Sequence, residues 1–162
     1  MKDKKKIAMG KKSRAAGARF ELRVRVDMER KGWILDKWSN NIELEYDLEV
    51  LFKKVIKGKL IKAKPKFVFN PQLKRRIPMG MSSGFPDFIA FKYYRDSAEV
   101  RKDMAERFKT YEVIGVESKM TGILDKTEKE KCKWLLDNNI FSKILIAKKG
   151  KKRGEIEYNE FK

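Results

Sequence analysis

Apolar positions along this chain switch between two periods, and the switches mark its elements. Over residues 14–31 the helical period holds: Phe20, Val24 and Met28 recur every four positions on one face, Leu22 and Val26 fall on another, and Gly32 stands where a helix can end. Glu21 borders the first stripe and projects close to the direction of Met28, along the edge of a core rather than straight into water. Trp33 to Trp38 reads as a first strand. Residues 42–81 are less regular, an amphipathic acidic stretch at 43–56 and alternating apolar and basic residues at 59–69, which predict a short helix and then a strand. Pro65, Pro71 and Pro78 interrupt anything longer, and a glycine-punctuated loop from Pro78 to Gly84 leads to Pro86-Asp87.

Phe88 to Phe91 is apolar on both faces and predicts a central strand. Residues 93–109 are charged and helix-permissive, a surface helix or a long hairpin connection. Residues 111–120 form the next strand, in which Tyr111, Val113, Gly115, Glu117 and Lys119 share one face while Ile114, Val116 and Met120 share the other. Thr127 with Glu130 has capping-box spacing and predicts a helix to about Asn138 that buries Cys132, Leu135 and Leu136. Residues 143–147 predict a strand that returns parallel to the Glu117 strand by a right-handed crossover. A basic turn at 150–154 and an edge strand at 155–158 follow. No internal repeat is visible.

Charge narrows the function. Lys and Arg number 41 against 23 Asp and Glu, a net charge of +18, so a polyanion is the expected partner. With 41% hydrophobic residues the chain is too apolar for a disordered basic tail, and 162 residues suit one domain spanning 1–162. Residues 1–14 carry six lysines and little apolar material, and predict a flexible basic arm without a signal-peptide core. No stretch approaches a transmembrane span, so no membrane is expected, and the composition suits an intracellular, cytoplasmic protein. Cys132 is the only cysteine and histidine is absent, which excludes an internal disulfide, a Cys/His zinc site and imidazole catalysis.

Carboxylate and lysine chemistry remain. Asp87 opens one apolar strand while Glu117 and Lys119 end another, a charged group where the pattern predicts sheet interior. Two buried carboxylates are costly unless a cation neutralises them. Asp87, Glu117, a backbone carbonyl such as that of Ser118, and waters would give Mg²⁺, or Mn²⁺ in its place, an all-oxygen shell. Lys119, on the same strand face, would orient a water or stabilise charge on a scissile phosphate. Glu-x-Lys also occurs at Glu29-Lys31 and Glu160-Lys162, yet only the copy at Glu117-Lys119 ends an apolar strand and follows the single Pro-Asp. Gly115, two residues earlier on that face, leaves room for a close backbone approach.

Taken in order, Pro86-Asp87 and Glu117-Ser118-Lys119 resemble the PD-(D/E)XK nuclease superfamily. Gly17-Ala18-Arg19-Phe20-Glu21 with Glu29-Arg30-Lys31-Gly32-Trp33 looks like the opening of archaeal-type Holliday junction resolvases, in which an acidic residue of the first helix joins the site; Glu21 matches it. Gly84 to Asp87, Glu117 to Lys119 and the helix at 127–138 are similar to the virus-type replication-repair nuclease domain. The likeness covers roughly residues 14–36 and 82–150. It implies an α/β fold, a restriction-endonuclease-like core with a central mixed sheet flanked by helices in the order αβββαβ, with insertions at 42–81 and 92–110. It implies a Mg²⁺-dependent endonuclease acting on branched or duplex DNA in recombination or repair, with Glu21, Asp87, Glu117 and Lys119 catalytic and Glu21 added to the metal ligands. It also implies a homodimer, and it is compatible with an archaeal or viral source.

The leading function is thus a junction-resolvase-like nuclease; a structure-selective or nonspecific replication-repair or restriction-type nuclease comes next, and a non-catalytic basic nucleic-acid-binding protein third. Lys11, Lys12, Arg14, Lys74, Arg75, Arg76, Lys126, Lys148 and Lys149 are the expected phosphate contacts. Tyr93, Tyr94 and Trp134 are expected as core or rim residues ahead of base-stacking platforms, and Cys132 as core packing.

Overall fold

A computed structural model of the chain describes residues 2–46, 55–64, 67–70, 72, 74–78, 84–94 and 110–162. Helix α1 (Lys2–Arg30) leads to β1 (Ile34–Lys37), β2 (Asn40–Tyr46), β3 (Val55–Lys62), β4 (Phe67–Asn70), β5 (Arg75–Pro78), β6 (Phe88–Tyr94), β7 (Thr110–Ser118), helix α2 (Lys126–Asp137), β8 (Lys143–Lys149) and β9 (Ile156–Glu160). A five-stranded mixed sheet runs β1-β6-β7-β8-β9, parallel only between β7 and β8. Hairpins β2-β3 and β4-β5 form two further two-stranded sheets. With the two hairpins set aside, the central elements follow the expected order αβββαβ, and β9 adds an antiparallel edge.

The strand parity dictates two cores, one on each face of the sheet. Phe20, Val24 and Met28 of α1 pack with Leu35, Phe88, Ala90, Ile114, Val116 and Ala147. On the other face Cys132 and Leu135 of α2 pack with Leu124, Phe85, Phe141, Ile144 and Ile146. Each large side chain so buried contributes roughly 1.5–3 kcal/mol. The carboxyl end of α1 closes as read: Gly32 adopts φ +82°, its N–H reaches the Glu29 carbonyl at 3.0 Å, and the Trp33 N–H reaches Met28 at 3.1 Å. That pair of bonds is a Schellman close, which a left-handed glycine permits at little cost.

Four expectations change. The segment read as a flexible arm, 1–14, is helical from Lys2 and continuous with the rest of α1; lysine and alanine are good helix formers and no proline interrupts. No apolar stripe signals it, because its described side chains are mainly exposed. The short helix expected at 43–56 is replaced at its two ends by the paired strands β2 and β3, and residues 47–54 lie outside the described residues. The strand expected at 59–69 is split, between β3 and the separate β4. The cap of α2 is Asp125 with Glu128, each side chain bonding the other's backbone N–H, rather than Thr127 with Glu130. Tyr93 and Tyr94 extend β6, and the rest of the expected helix or connection, 95–109, lies outside the described residues, as do 79–83 of the glycine-punctuated loop.

Candidate active site

Antiparallel pairing sets the site. Phe88 is opposite Val116 in the β6-β7 register, so Asp87, one residue before, meets Glu117, one residue after. Both side chains are buried, Asp87 at 7% and Glu117 at 5% exposure. Glu117 Oε2 accepts the Asp87 backbone N–H at 3.1 Å, and the Ser118 backbone N–H donates to Asp87 Oδ2 at 2.9 Å. Lys119 Nζ lies 3.3 Å from Glu117 Oε1 and also donates to Glu128 at the first turn of α2.

The approach to Asp87 is fixed by backbone. The Gly84 N–H donates to the Trp38 carbonyl at 3.0 Å, the Phe85 N–H to Asn40 at 2.9 Å, and the Trp38 N–H to the Asp87 carbonyl at 3.1 Å. A Cβ at Gly84 would lie 2.2 Å from the carbonyl oxygens of both Trp38 and Asn40, so only glycine fits. The Phe85-Pro86 peptide is cis. Pro86 fills the space over Gly115: a Cβ there would lie 2.8 Å from the proline ring. Gly115 therefore seats the Pro-Asp turn on β7, where the sequence suggested space for a substrate or helix backbone.

Burial pushes both carboxyls above their ordinary values. For Asp87 the Ser118 hydrogen bond opposes the rise, the Glu21 charge adds to it, and Lys37 and Lys119 counter it. For Glu117 the Asp87 charge adds most after burial, against the opposing pull of Lys119. Burial alone would depress the Lys119 ammonium, but the Glu128 hydrogen bond and the charges of Glu117 and Glu128 outweigh it and hold it protonated. Below them Cys132 is pushed up to about 12 by burial and by the same two glutamates, an inert thiol.

Glu21 stands apart from the pair. It is half-buried on α1, sends its charge toward Asp87, and is ion-paired with Lys37 of β1. Among the described residues no three Asp, Glu, Cys or His side chains converge closely enough to hold a metal ion. The donor chemistry nevertheless suits a hard cation. Four carboxylates, Glu21, Asp87, Glu117 and Glu128, face two ammonium groups, Lys37 and Lys119, so the fully ionised cluster carries 2 − 4 = −2 inside a chain of net charge +18. Ser118 contributes its backbone N–H, while its hydroxyl is buried without a hydrogen-bond partner.

Lys37 and Glu128 were missed in the sequence. Lys37 shares strand parity with buried Leu35 and lies 4.5 Å over the Phe88 ring, an inward lysine at a strand end. Asp125-x-x-Glu128 has capping-box spacing two residues upstream of the one chosen.

The expected phosphate contacts are not gathered in one place. Lys11, Lys12 and Arg14 are exposed along α1, Lys74, Arg75 and Arg76 at the turn of the β4-β5 hairpin, and Lys126 at the start of α2. Lys148 pairs with Glu157 at 3.1 Å, and Lys149 is exposed at the end of β8. Trp134 is a packing residue, its indole against Gly58 of β3, and Tyr93 packs edge-on against Tyr111 at 5.7 Å, at the end of β6 remote from Asp87. Among the described residues no helix is long and apolar enough to cross a membrane. Comparison with protein families, curated proteins and solved structures gave no match.

Proposed function

We propose that this chain is a divalent-cation-dependent nuclease of the PD-(D/E)XK type, with a restriction-endonuclease-like core, that hydrolyses phosphodiester bonds of DNA. The observation that carries the reading is the buried Asp87-Glu117 pair, in register on adjacent strands and beside the protonated Lys119. Two carboxyls pushed up by burial, with the Asp87 charge raising Glu117 further, are a costly arrangement that a hard cation relieves. Asp87 and Glu117 would hold it with waters and the Ser118 carbonyl, and Mg²⁺ or Mn²⁺ there supplies Lewis acidity toward a phosphate oxygen and a water of lowered pKa. Glu21 joins the set only by exchanging its Lys37 partner.

The protein's own groups supply the rest. Lys119 is too firmly protonated to act as a base, and its ammonium suits the negative charge that gathers on the phosphate in the transition state. Glu128 fixes that ammonium from α2. The Ser118 N–H fixes one Asp87 oxygen, which leaves the other for a ligand. The surplus of exposed lysine and arginine draws a polyanion to the protein as a whole.

A junction-resolvase-like activity leads, with structure-selective or nonspecific cleavage behind it. A non-catalytic basic binder is favoured by one observation, the lack of a converged three-ligand group among the described residues. Purified protein incubated with four-way junction, flap, single-stranded and duplex DNA separates the readings. Cuts that require Mg²⁺, stop with chelator and vanish in Glu117→Ala while DNA binding persists support the nuclease; salt-sensitive binding with no cut on any substrate rejects it.

A further inference from the structure

The β4-β5 hairpin presents aromatic rings to solvent. Phe67 and Phe69 are 54% and 58% exposed, and as alternate residues of one strand they share a face. Phe69 pairs with Arg76 across the hairpin, which places that guanidinium-bearing residue on the same face. Lys74, at φ +44° in the turn, and Arg75 are exposed beside them. Two exposed phenylalanines on a two-stranded sheet oppose stability in water, since such a hairpin is marginal unaided.

The chain on either side of the hairpin is tied down near the candidate site. Ala63, just past β3, donates its N–H to the Ser39 carbonyl at 2.9 Å, and Gly84 and Phe85, beyond β5, donate to Trp38 and Asn40. Both of these anchor points lie on the 38–40 segment, whose Trp38 also bonds Asp87. Phe67 is four residue steps along the chain from Ala63, a reach of at most about 14 Å.

We propose that the Phe67-Phe69 face stacks on unpaired bases of DNA while Lys74, Arg75 and Arg76 hold the adjoining phosphates, so that the hairpin delivers single-stranded or branched DNA to the Asp87-Glu117 site. Alternate residues on a strand stand about 6.6 Å apart, near two base-stacking steps of 3.4 Å each. Bases within a duplex already cover one another's faces, whereas unpaired bases offer a π-face to an aromatic side chain. The cations make a polyanion the fitting occupant over an apolar protein surface. The inference rests on the nuclease reading and names its substrate class.

The test is binding in chelator, where no cleavage intervenes, of the full chain to single-stranded, four-way junction and duplex DNA carrying 2-aminopurine. Phe67→Ala/Phe69→Ala is expected to lose on the order of tenfold in affinity for single strands and junctions, together with the fluorescence change, and to bind duplex within about twofold of wild type. Phe67→Tyr/Phe69→Tyr should restore both. Lys74→Ala/Arg75→Ala/Arg76→Ala should weaken all substrates and flatten the salt dependence. Equal affinity of wild type and the phenylalanine double variant for every substrate overturns the proposal. So does intact binding with loss of self-association in sedimentation, which would give the face to a second copy of the chain. Cleavage by wild type in Mg²⁺, scored separately, reads the nuclease assignment alone.

Discussion

Glu117 Oε2 accepts the backbone N–H of Asp87 at 3.1 Å, so a side-chain bond joins the two buried carboxyl-bearing residues just beyond the Phe88-Val116 pair of the strand register. Ionising both carboxyls in so buried a place is costly. The pair retains protons above the ordinary carboxyl range, and on the nuclease reading a cation would take their place.

This gives a pH dependence. Both carboxyls sit above their ordinary values of 3.8 and 4.5, so the folded state retains protons that the unfolded chain releases, and their contribution to stability is full below about pH 4 and is lost as pH rises toward the raised values. In chelator, Glu117→Gln removes one such group. Its stability, followed by thermal melting, should gain on wild type between pH 5 and pH 8, by an amount on the order of 1 kcal/mol or more. Parallel melting curves across that range would show that the pair does not titrate in the fold.

Glycine at 84 and 115 holds the Pro-Asp turn. Gly115→Ala drives a methyl into the Pro86 ring, a packing strain of about 1–3 kcal/mol, and Gly84→Ala drives one into two carbonyl oxygens, which costs at least as much. Thermal unfolding should drop by several degrees for Gly115→Ala and further for Gly84→Ala. Unchanged melting at both positions would mean that the turn is seated differently.

Glu128 links the cap of α2 to the site. Glu128→Ala removes one arm of the capping box and one partner of Lys119, at a stability cost of about 0.3–1 kcal/mol. Misplacement of Lys119 is expected to lower the cleavage rate on the order of 10- to 100-fold with little change in DNA affinity. Wild-type turnover in this variant would remove Glu128 from the account.

The sequence made the site legible because charge and period conflict there. Asp87, Glu117 and Lys119 interrupt apolar strands, and strand parity alone puts Glu117 and Lys119 on one face. The helix stripe of Phe20, Val24 and Met28 was equally plain, since all three are buried. Hairpin β2-β3 was not, because Glu43 and Glu45 are poor strand formers and local pattern favoured a helix. What stabilises the strands is distant in sequence: Trp134 over Gly58, the Tyr46 hydroxyl on Glu130 at 2.8 Å, and Lys131 on Asn41 at 2.7 Å. The amino-terminal turns of α1 lack an apolar face to give them away, and the Glu21-Lys37 pair joins residues from two elements that no spacing rule connects.

The proposed function stands or falls on whether Asp87 and Glu117 together hold a hard divalent cation. Calorimetric titration of the purified chain with Mn²⁺ tests it most directly. Saturable binding by wild type is expected, abolished by Asp87→Asn and by Glu117→Gln while both variants remain folded. Absence of binding by wild type, or the same isotherm in all three proteins, would contradict it.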